Sequence, residues 1–391
     1  MKAIINGRVI VPDETGNFVA RDGLGMLFST KIEKIVPSAE IEAQLSACES
    51  VIDAQGAYVS PGFINVHLHG CAGSDVMDGT VEALETISSF QAKTGVTGIC
   101  PTTMTNPWDN IVRALQAVRQ AKQKGLSGAR MIGVHLEGPF VSRECCGAQP
   151  AEDIIPADFS RIRDFADMIK IITVAPEELT DERFMAQCHE AGIVVSLGHS
   201  AASYAVARQA IDNGGATHIT HLCNGMKTLH HREPGLIGAA LDTAVDCELI
   251  ADDIHIHPAM QRIIFQAKQA AHIILITDSM RACGLGDGVS ELGGKQVFVH
   301  GLRAVLEDGT LAGSVLTLDR AVANFAANTG ADIAKVIEFV TKVPAENLGI
   351  YQEAGSLAVG KQADITIFND DLVIQKTIVG GEIVYDKEIG G

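Results

Sequence analysis

No apolar run in the 391-residue sequence approaches the ~18 residues needed to cross a membrane. The longest, at 171–175 and 273–276, have the length of strands. The opening MKAIINGRVIVPDE has no long apolar core of the signal-peptide kind, so a cytoplasmic protein with no membrane partner is expected. Basic residues are also in short supply. The 30 Lys and Arg face 48 Asp and Glu, which leaves a net charge of −18. A nucleic-acid binder needs a basic patch to displace counterions, so no nucleic-acid partner is expected. An anionic small molecule stays possible, because it needs only one or two local cations. The nine cysteines contain no CxxC pair, and Cys145 and Cys146 are adjacent. Reduced thiols packed as small apolar groups are the simplest reading. No Gly-rich phosphate-binding fingerprint is present, which counts against a doubly wound open sheet.

At about 150 residues per domain, the length suits two or three domains, or one large barrel with an appendage. Both ends of the chain read as short strands and turns. At the start these are 3–11 and 31–36; at the end they are 364–368, 373–379 and 382–385, broken by Asn369-Asp370-Asp371 and Gly380-Gly381. The middle alternates strand-like runs with amphipathic stretches. Strands are expected at 59–68, 96–102, 131–136, 169–175, 193–197, 218–222, 247–254 and 272–277. Helices are expected at 82–93, 108–124, 181–191, 202–214 and 258–270, the second with Asn106 as cap and Pro107 as its first residue. Eight strand–helix alternations over roughly 300 residues predict an α/β fold, a (β/α)₈ TIM-like barrel over 57–355. Residues 1–56 and 356–391 are expected to join in a small β-sandwich domain.

Catalytic groups of such barrels sit where the strands run out. Strand one ends in His67-Leu68-His69, strand three in Glu137, strand five in His199, strand six in His221 and strand eight in Asp278, while strand seven runs into His255. His67 and His69, two apart, face the same side of a strand. An HxH pair is weak evidence alone, and His255 with His257 forms a second one. A lone strand histidine is more often a packed core residue. Six ligand-type residues at five strand ends of one barrel are a different matter, and they predict a divalent metal site. Imidazole with carboxylate suits Zn²⁺ first, and Fe²⁺, Mn²⁺ or Co²⁺ also accept these ligands. His189, His272 and His300 have no partner in view, His257 reads as solvated, and His135 reads as packed, with a supporting role behind the metal as the other option. Cys71 and Cys223 lie beside proposed ligands in segments that already supply one.

The motifs PGFINVHLHG, GVTGICPTT, VHLEGPF, SLGHS, THLCNGM, HREPGLIGAALD and ITDSM, with the tail GSLAVGKQADITIF, make the chain resemble the amidohydrolase superfamily nearly end to end. Within it, HLEGPF followed by THLxN and REPG resembles the branch that deacetylates amino-sugar phosphates. The resemblance implies hydrolysis of the N-acetyl group of N-acetylglucosamine 6-phosphate, in amino-sugar breakdown, by a homodimer holding one or two metal ions. It implies Glu137, His199 and His221 as ligands in every case. His67 and His69 would complete a second position, with Glu137 bridging and Asp278 contributing. Asp278 matches the base that deprotonates water and then protonates the leaving amine. Arg232 resembles a phosphate clamp reaching across the dimer interface, where a planar guanidinium binds phosphate bidentately. Asn224 and the backbone of Gly225 resemble further phosphate contacts, His255 a sugar-hydroxyl contact, and Leu311, Ala312 and Gly313 a loop beside the sugar. Two departures stand out. Where some members carry a histidine after HLEGP, this chain has Ala148 and then Gln149 on the substrate side. Gln149 can donate an amide N–H but cannot be cationic. Gly225 stands where alanine is common, an exchange expected to matter little if only the N–H is used.

Three other readings compete. The 4-epimer, N-acetylgalactosamine 6-phosphate, differs by one hydroxyl. A cyclic amidase of the dihydroorotase type commonly carries a carboxylated lysine at the end of strand four. Here that strand ends Val174-Ala175-Pro176-Glu177, with Lys170 at the opposite end. A non-catalytic assembly protein would show lost ligands, and none is lost.

Overall fold

The computed structural model describes residues 1–389, so the last two residues of the 356–391 segment lie outside the described residues. The chain starts with β1 (Lys2–Pro12), β2 (Phe18–Phe28), β3 (Ile32–Pro37), β4 (Ser50–Asp53) and β5 (Tyr58–Pro61). The middle holds β6 (Phe63–Leu68), a ribbon of β7 (Gly70–Cys71) and β8 (Ser74–Asp75), then β9 (Val96–Pro101), β10 (Arg130–Met131) and β11 (Val134–Glu137). It continues with β12 (Ile169–Val174), β13 (Val194–Leu197), β14 (His218–Ile219), β15 (Asp246–Ile250) and β16 (Ile273–Ile276). An antiparallel excursion follows, β17 (Gly288–Leu292), β18 (Lys295–His300) and β19 (Arg303–Val305), which the sequence reading did not foresee. The chain closes with β20 (Ile365–Phe368), β21 (Ile374–Val379) and β22 (Glu382–Asp386).

The two chain ends share one eight-stranded sheet in the order β22-β21-β20-β5-β1-β2-β3, with β4 against β1. The expected strand 59–68 is therefore two strands. Its first part, β5, pairs antiparallel with β20, and its second part, β6, pairs parallel with β9. The break falls at Gly62, whose N–H donates to Asp364 O at 2.9 Å and where a Cβ would stand 2.2 Å from Thr97. No side chain fits that joint.

The middle strands form a curled parallel sheet. The groups β10-β9-β6 and β11-β12-β13-β14-β15-β16 are linked by the parallel bridge between Thr102 and His135. At the other end, Asp278 N donates to His67 O at 3.0 Å and so ties the last strand to the first. Ile171, Ile172, Val195, Ile219, Leu249 and Ile274 are almost wholly buried in the main core, and each such side chain contributes about 1.5–3 kcal/mol. The helices Val81–Lys93, Trp108–Lys124, Phe184–Glu190, Tyr204–Asp212 and Pro258–Ala267 cover the sheet. Thr80 caps the first by accepting from Ala83 N at 3.2 Å. The second spans the expected 108–124, but its cap differs from the one expected. Pro107 is its cap residue, and Asn106 accepts from the Asn110 side chain instead. Among the described residues no helix is long and apolar enough to cross a membrane.

Candidate metal and substrate site

Every residue expected to bind metal lies at the end of a parallel strand. His67 is in β6 and Glu137 is the last residue of β11, whereas His199, His221 and Asp278 each lie two residues beyond their strands. Those three have left-handed backbones, with φ of +45°, +28° and +48°. Non-glycine residues held there cost about 1–3 kcal/mol each, and such strain gathers at functional sites. It also explains the short β14. The expected strand 218–222 stops at Ile219 because His221 turns its side chain out of the pleat. The expected strand 247–254 likewise ends at Ile250, where Asp252 accepts from the N–H groups of Ile254 and His255 and folds the chain into a turn.

Glu137 is the centre of the cluster. Its Oε1 lies 2.9 Å from Nε2 of His221, 3.2 Å from Nε2 of His199 and 3.6 Å from Nε2 of His67. Its Oε2 lies 3.4 Å from Nε2 of His69. Two groups of three possible ligands, Glu137-His199-His221 and His67-His69-Glu137, share this one carboxylate. Asp278 Oδ1 stands 3.2 Å from Nε2 of His69 and 3.5 Å from Nε2 of His67. All six side chains are buried. His67 Nε2 and Asp278 Oδ1 have no hydrogen-bond partner among the described residues, a costly state for buried polar atoms. An N/O donor set with unpartnered lone pairs fits one or two divalent ions.

The charges are mutually supporting. Burial alone would pull His69 and His221 down, but the neighbouring carboxylates of Glu137 and Asp278 outweigh it. His69 is held well above the ordinary imidazole value and His221 is raised to about 9. Burial would raise Glu137 and Asp278, and the surrounding imidazoles, His67 foremost, hold both below the usual carboxylate range. His135 behaves as the packed residue. Burial and neighbouring His67 push it down to about 3, while Val66 O and Thr173 Oγ1 occupy its two nitrogens at 3.0 and 2.7 Å.

A cleft of about 250 Å³ opens over the cluster. His69, Glu137, His199, His221 and Asp278 line it, together with Ala148, Gln149, Asn224, Gly225, His255, Leu311 and Gly313. Two expected substrate residues do not line it. Ala312 is fully buried with its N–H given to Ala304 O, and Arg232 sits on an exposed loop beside His231. Among the described residues, no lysine or arginine lines the cleft. Gln149 is fixed at both ends of its amide. Thr105 donates to its Oε1 through both N–H and hydroxyl, and its Nε2 donates to Glu137 Oε2 at 2.9 Å. His255 Nδ1 meets Asp252 Oδ2 at 2.6 Å, which commits one ring nitrogen and leaves Nε2 for the cleft. Gly225 corrects an expectation. With φ at +58°, a Cβ there would stand 2.7 Å from Nδ1 of His199, so an alanine would press directly on a ligand.

Sequence reading missed Thr105, Asp252 and Glu248. The last is a fully buried carboxylate on β15, 2.8 Å from Nδ1 of His67. A lone acid inside the apolar run Cys247–Ala251 was the available signal.

A curled parallel sheet with imidazoles and carboxylates gathered at its strand ends around one shared carboxylate is an arrangement suited to a hydrolase that holds metal. The model of the amidohydrolase family matches residues 58–384, and the chain belongs to that family. It is 40% identical over 372 residues to the N-acetylglucosamine-6-phosphate deacetylase of Bacillus subtilis, covering 93% of this chain and 91% of that one. It is 36% identical to the N-acetylgalactosamine-6-phosphate deacetylase of Escherichia coli O157:H7, over 85% and 89% of the two chains. The crystal structure of N-acetylglucosamine-6-phosphate deacetylase from Pasteurella multocida superposes with a TM-score of 0.90 at 30% identity, covering 98% of this chain and 99% of that one.

Proposed function

We propose that this chain hydrolyses the N-acetyl group of N-acetylglucosamine 6-phosphate to give glucosamine 6-phosphate and acetate. The observation that carries this reading is the Glu137-centred pair of ligand groups under a cleft of substrate size, with Asp278 beside them. Glu137, His199 and His221 would hold a divalent ion, and His67, His69, Glu137 and Asp278 would hold a second; bound there, such an ion would supply Lewis acidity toward water and the amide carbonyl. Zn²⁺ is the first candidate for this donor set.

The chain's own residues do the rest. Asp278 takes the proton of the attacking water and returns it to the sugar nitrogen as the C–N bond breaks, which general acid–base catalysis requires of one group acting twice. Gln149, held by Thr105, has its Nε2 2.9 Å from Glu137 Oε2 and 3.1 Å from His199 Nε2, and would turn an amide N–H to the acetyl oxygen once a metal takes those two groups. His255 Nε2 faces a sugar hydroxyl. Asn224, the Gly225 N–H and the loop at Leu311 and Gly313 hold the phosphate end and the ring. Because no lysine or arginine among the described residues lines the cleft, the phosphate needs a cation from elsewhere. Arg232 of a second copy supplies it in a homodimer. Remote phosphate binding then positions the amide.

We read the curled parallel sheet as a closed (β/α)₈ barrel and the single eight-stranded sheet shared by both chain ends as the small β domain beside it. The Asp278–His67 backbone bond favours closure, and the pairing of β5 with β20 supports drawing the first boundary near Gly62. A cytoplasmic location suits a phosphorylated substrate. The relative named for the galactosamine epimer keeps that sugar as the second reading. Acetate release from the two epimers, before and after chelation, tests both.

A further inference from the structure

Behind the ligands, hydrogen-bonded side chains run through the inside of the parallel sheet. Oε2 of Glu248 faces Nδ1 of His67 at 2.8 Å and accepts from the N–H of His221 at 3.0 Å. Oε1 faces Nε2 of His218 at 3.0 Å. His218 Nδ1 meets Asn347 Oδ1 at 2.8 Å, and Asn347 donates to Asp246 at 2.9 Å. Asn347 and Asp246 line a second cleft, of about 920 Å³, at the strand starts, opposite the ligands.

We propose that Glu248 is a positioning residue that fixes the tautomer of His67 and so creates the second metal position. This rests on the metal-dependent reading above. A carboxylate accepts and cannot donate, so Nδ1 of His67 must carry the proton. In the neutral ring, the form a metal ligand must take, Nε2 is then the lone pair, and it faces Glu137 and Asp278. Without Glu248 the ring is free to protonate at Nε2 and donate to those carboxylates, which turns a ligand into a competitor for them. A fully buried carboxylate is costly even when paired, and an apolar side chain would fill the same space more cheaply. Orientation of a ligand is the function that fits the cost, since supporting hydrogen bonds of this kind set metal affinity. Asn347 in turn locks His218, so Glu248 cannot swing away. His135, close to the same carboxylate, has both nitrogens committed and adds no ligand.

The test uses purified full chain and Co²⁺ in competition with a chelator. The parent chain should bind two equivalents. Glu248→Gln, which keeps the acceptor oxygen and loses the charge, should weaken one of them by about 10–100-fold and leave the other unchanged. In a His67→Ala background the same substitution should have no further effect on Co²⁺ binding. Unchanged binding in Glu248→Gln, an equal loss in the His67→Ala background, or a parent that takes a single equivalent overturns the proposal. Should the variant fail to fold, long-range ¹H–¹⁵N spectra of the metal-free parent, at a pH high enough that the His67 ring is neutral, decide: a proton on Nδ1 supports it, and a neutral ring protonated on Nε2 overturns it. A parent that binds two equivalents but releases no acetate overturns the functional reading and leaves the role of Glu248 standing.

Discussion

Oδ1 of Asp278 stands 3.2 Å from Nε2 of His69 and has no hydrogen-bond partner among the described residues. It is thus buried at the floor of the cleft with a lone pair free to take a proton. Asp278→Asn should lower kcat by about 10²–10⁴-fold, the usual share of a general acid–base group. The affinity for the sugar phosphate, measured by calorimetry, should stay near that of the parent. Retained activity would remove Asp278 from proton transfer.

Gly225 offers a sharper structural test. Gly225→Ala should press a methyl onto His199, whose Nδ1 meets Cys145 O at 2.9 Å. Overpacking of this kind costs about 1–3 kcal/mol. Reduced metal content and a lower unfolding temperature are expected together, read by elemental analysis and thermal melts.

Gln149→Ala should lower kcat by about tenfold with KM little changed, roughly one hydrogen bond at the carbonyl. Thr105→Val should reproduce part of this loss, because Thr105 donates through both N–H and hydroxyl to the oxygen of that amide. Steady-state kinetics on both variants decide it. An unchanged kcat in Gln149→Ala would leave carbonyl polarisation to the metal alone.

Arg232→Ala should raise KM for the sugar phosphate by about 10–100-fold, the worth of a charged hydrogen bond, and spare the unphosphorylated sugar. Mixing this variant with Asp278→Asn chains should restore activity, because each mixed dimer then has one site with both groups. No regain on mixing would place Arg232 outside the neighbouring site.

Much of the candidate site is legible in the sequence because the side chains that gather there are histidines and acids at strand ends, where chain order and chemistry point the same way. Glu248 is not, since a strand pattern cannot show that its one carboxylate faces His67 across the sheet. Gly62 is hidden for a related reason. The 59–68 run is continuous in hydrophobicity, and only the pairing of β5 with β20 reveals two strands. The excursion 288–305 escaped because its strands are partly exposed and carry little apolar alternation. Ala312 is turned from the cleft by its packing beside Ala304 in a small buried cluster, which its place in the sequence does not show.

The most direct measurement is acetate release by the metal-loaded protein from N-acetylglucosamine 6-phosphate, its 4-epimer and unphosphorylated N-acetylglucosamine, compared as kcat/KM. The account predicts the highest value for N-acetylglucosamine 6-phosphate, a large loss without the phosphate, and abolition by a chelator that added divalent metal reverses. Turnover that survives complete metal removal, or a preference for the unphosphorylated sugar, would contradict it.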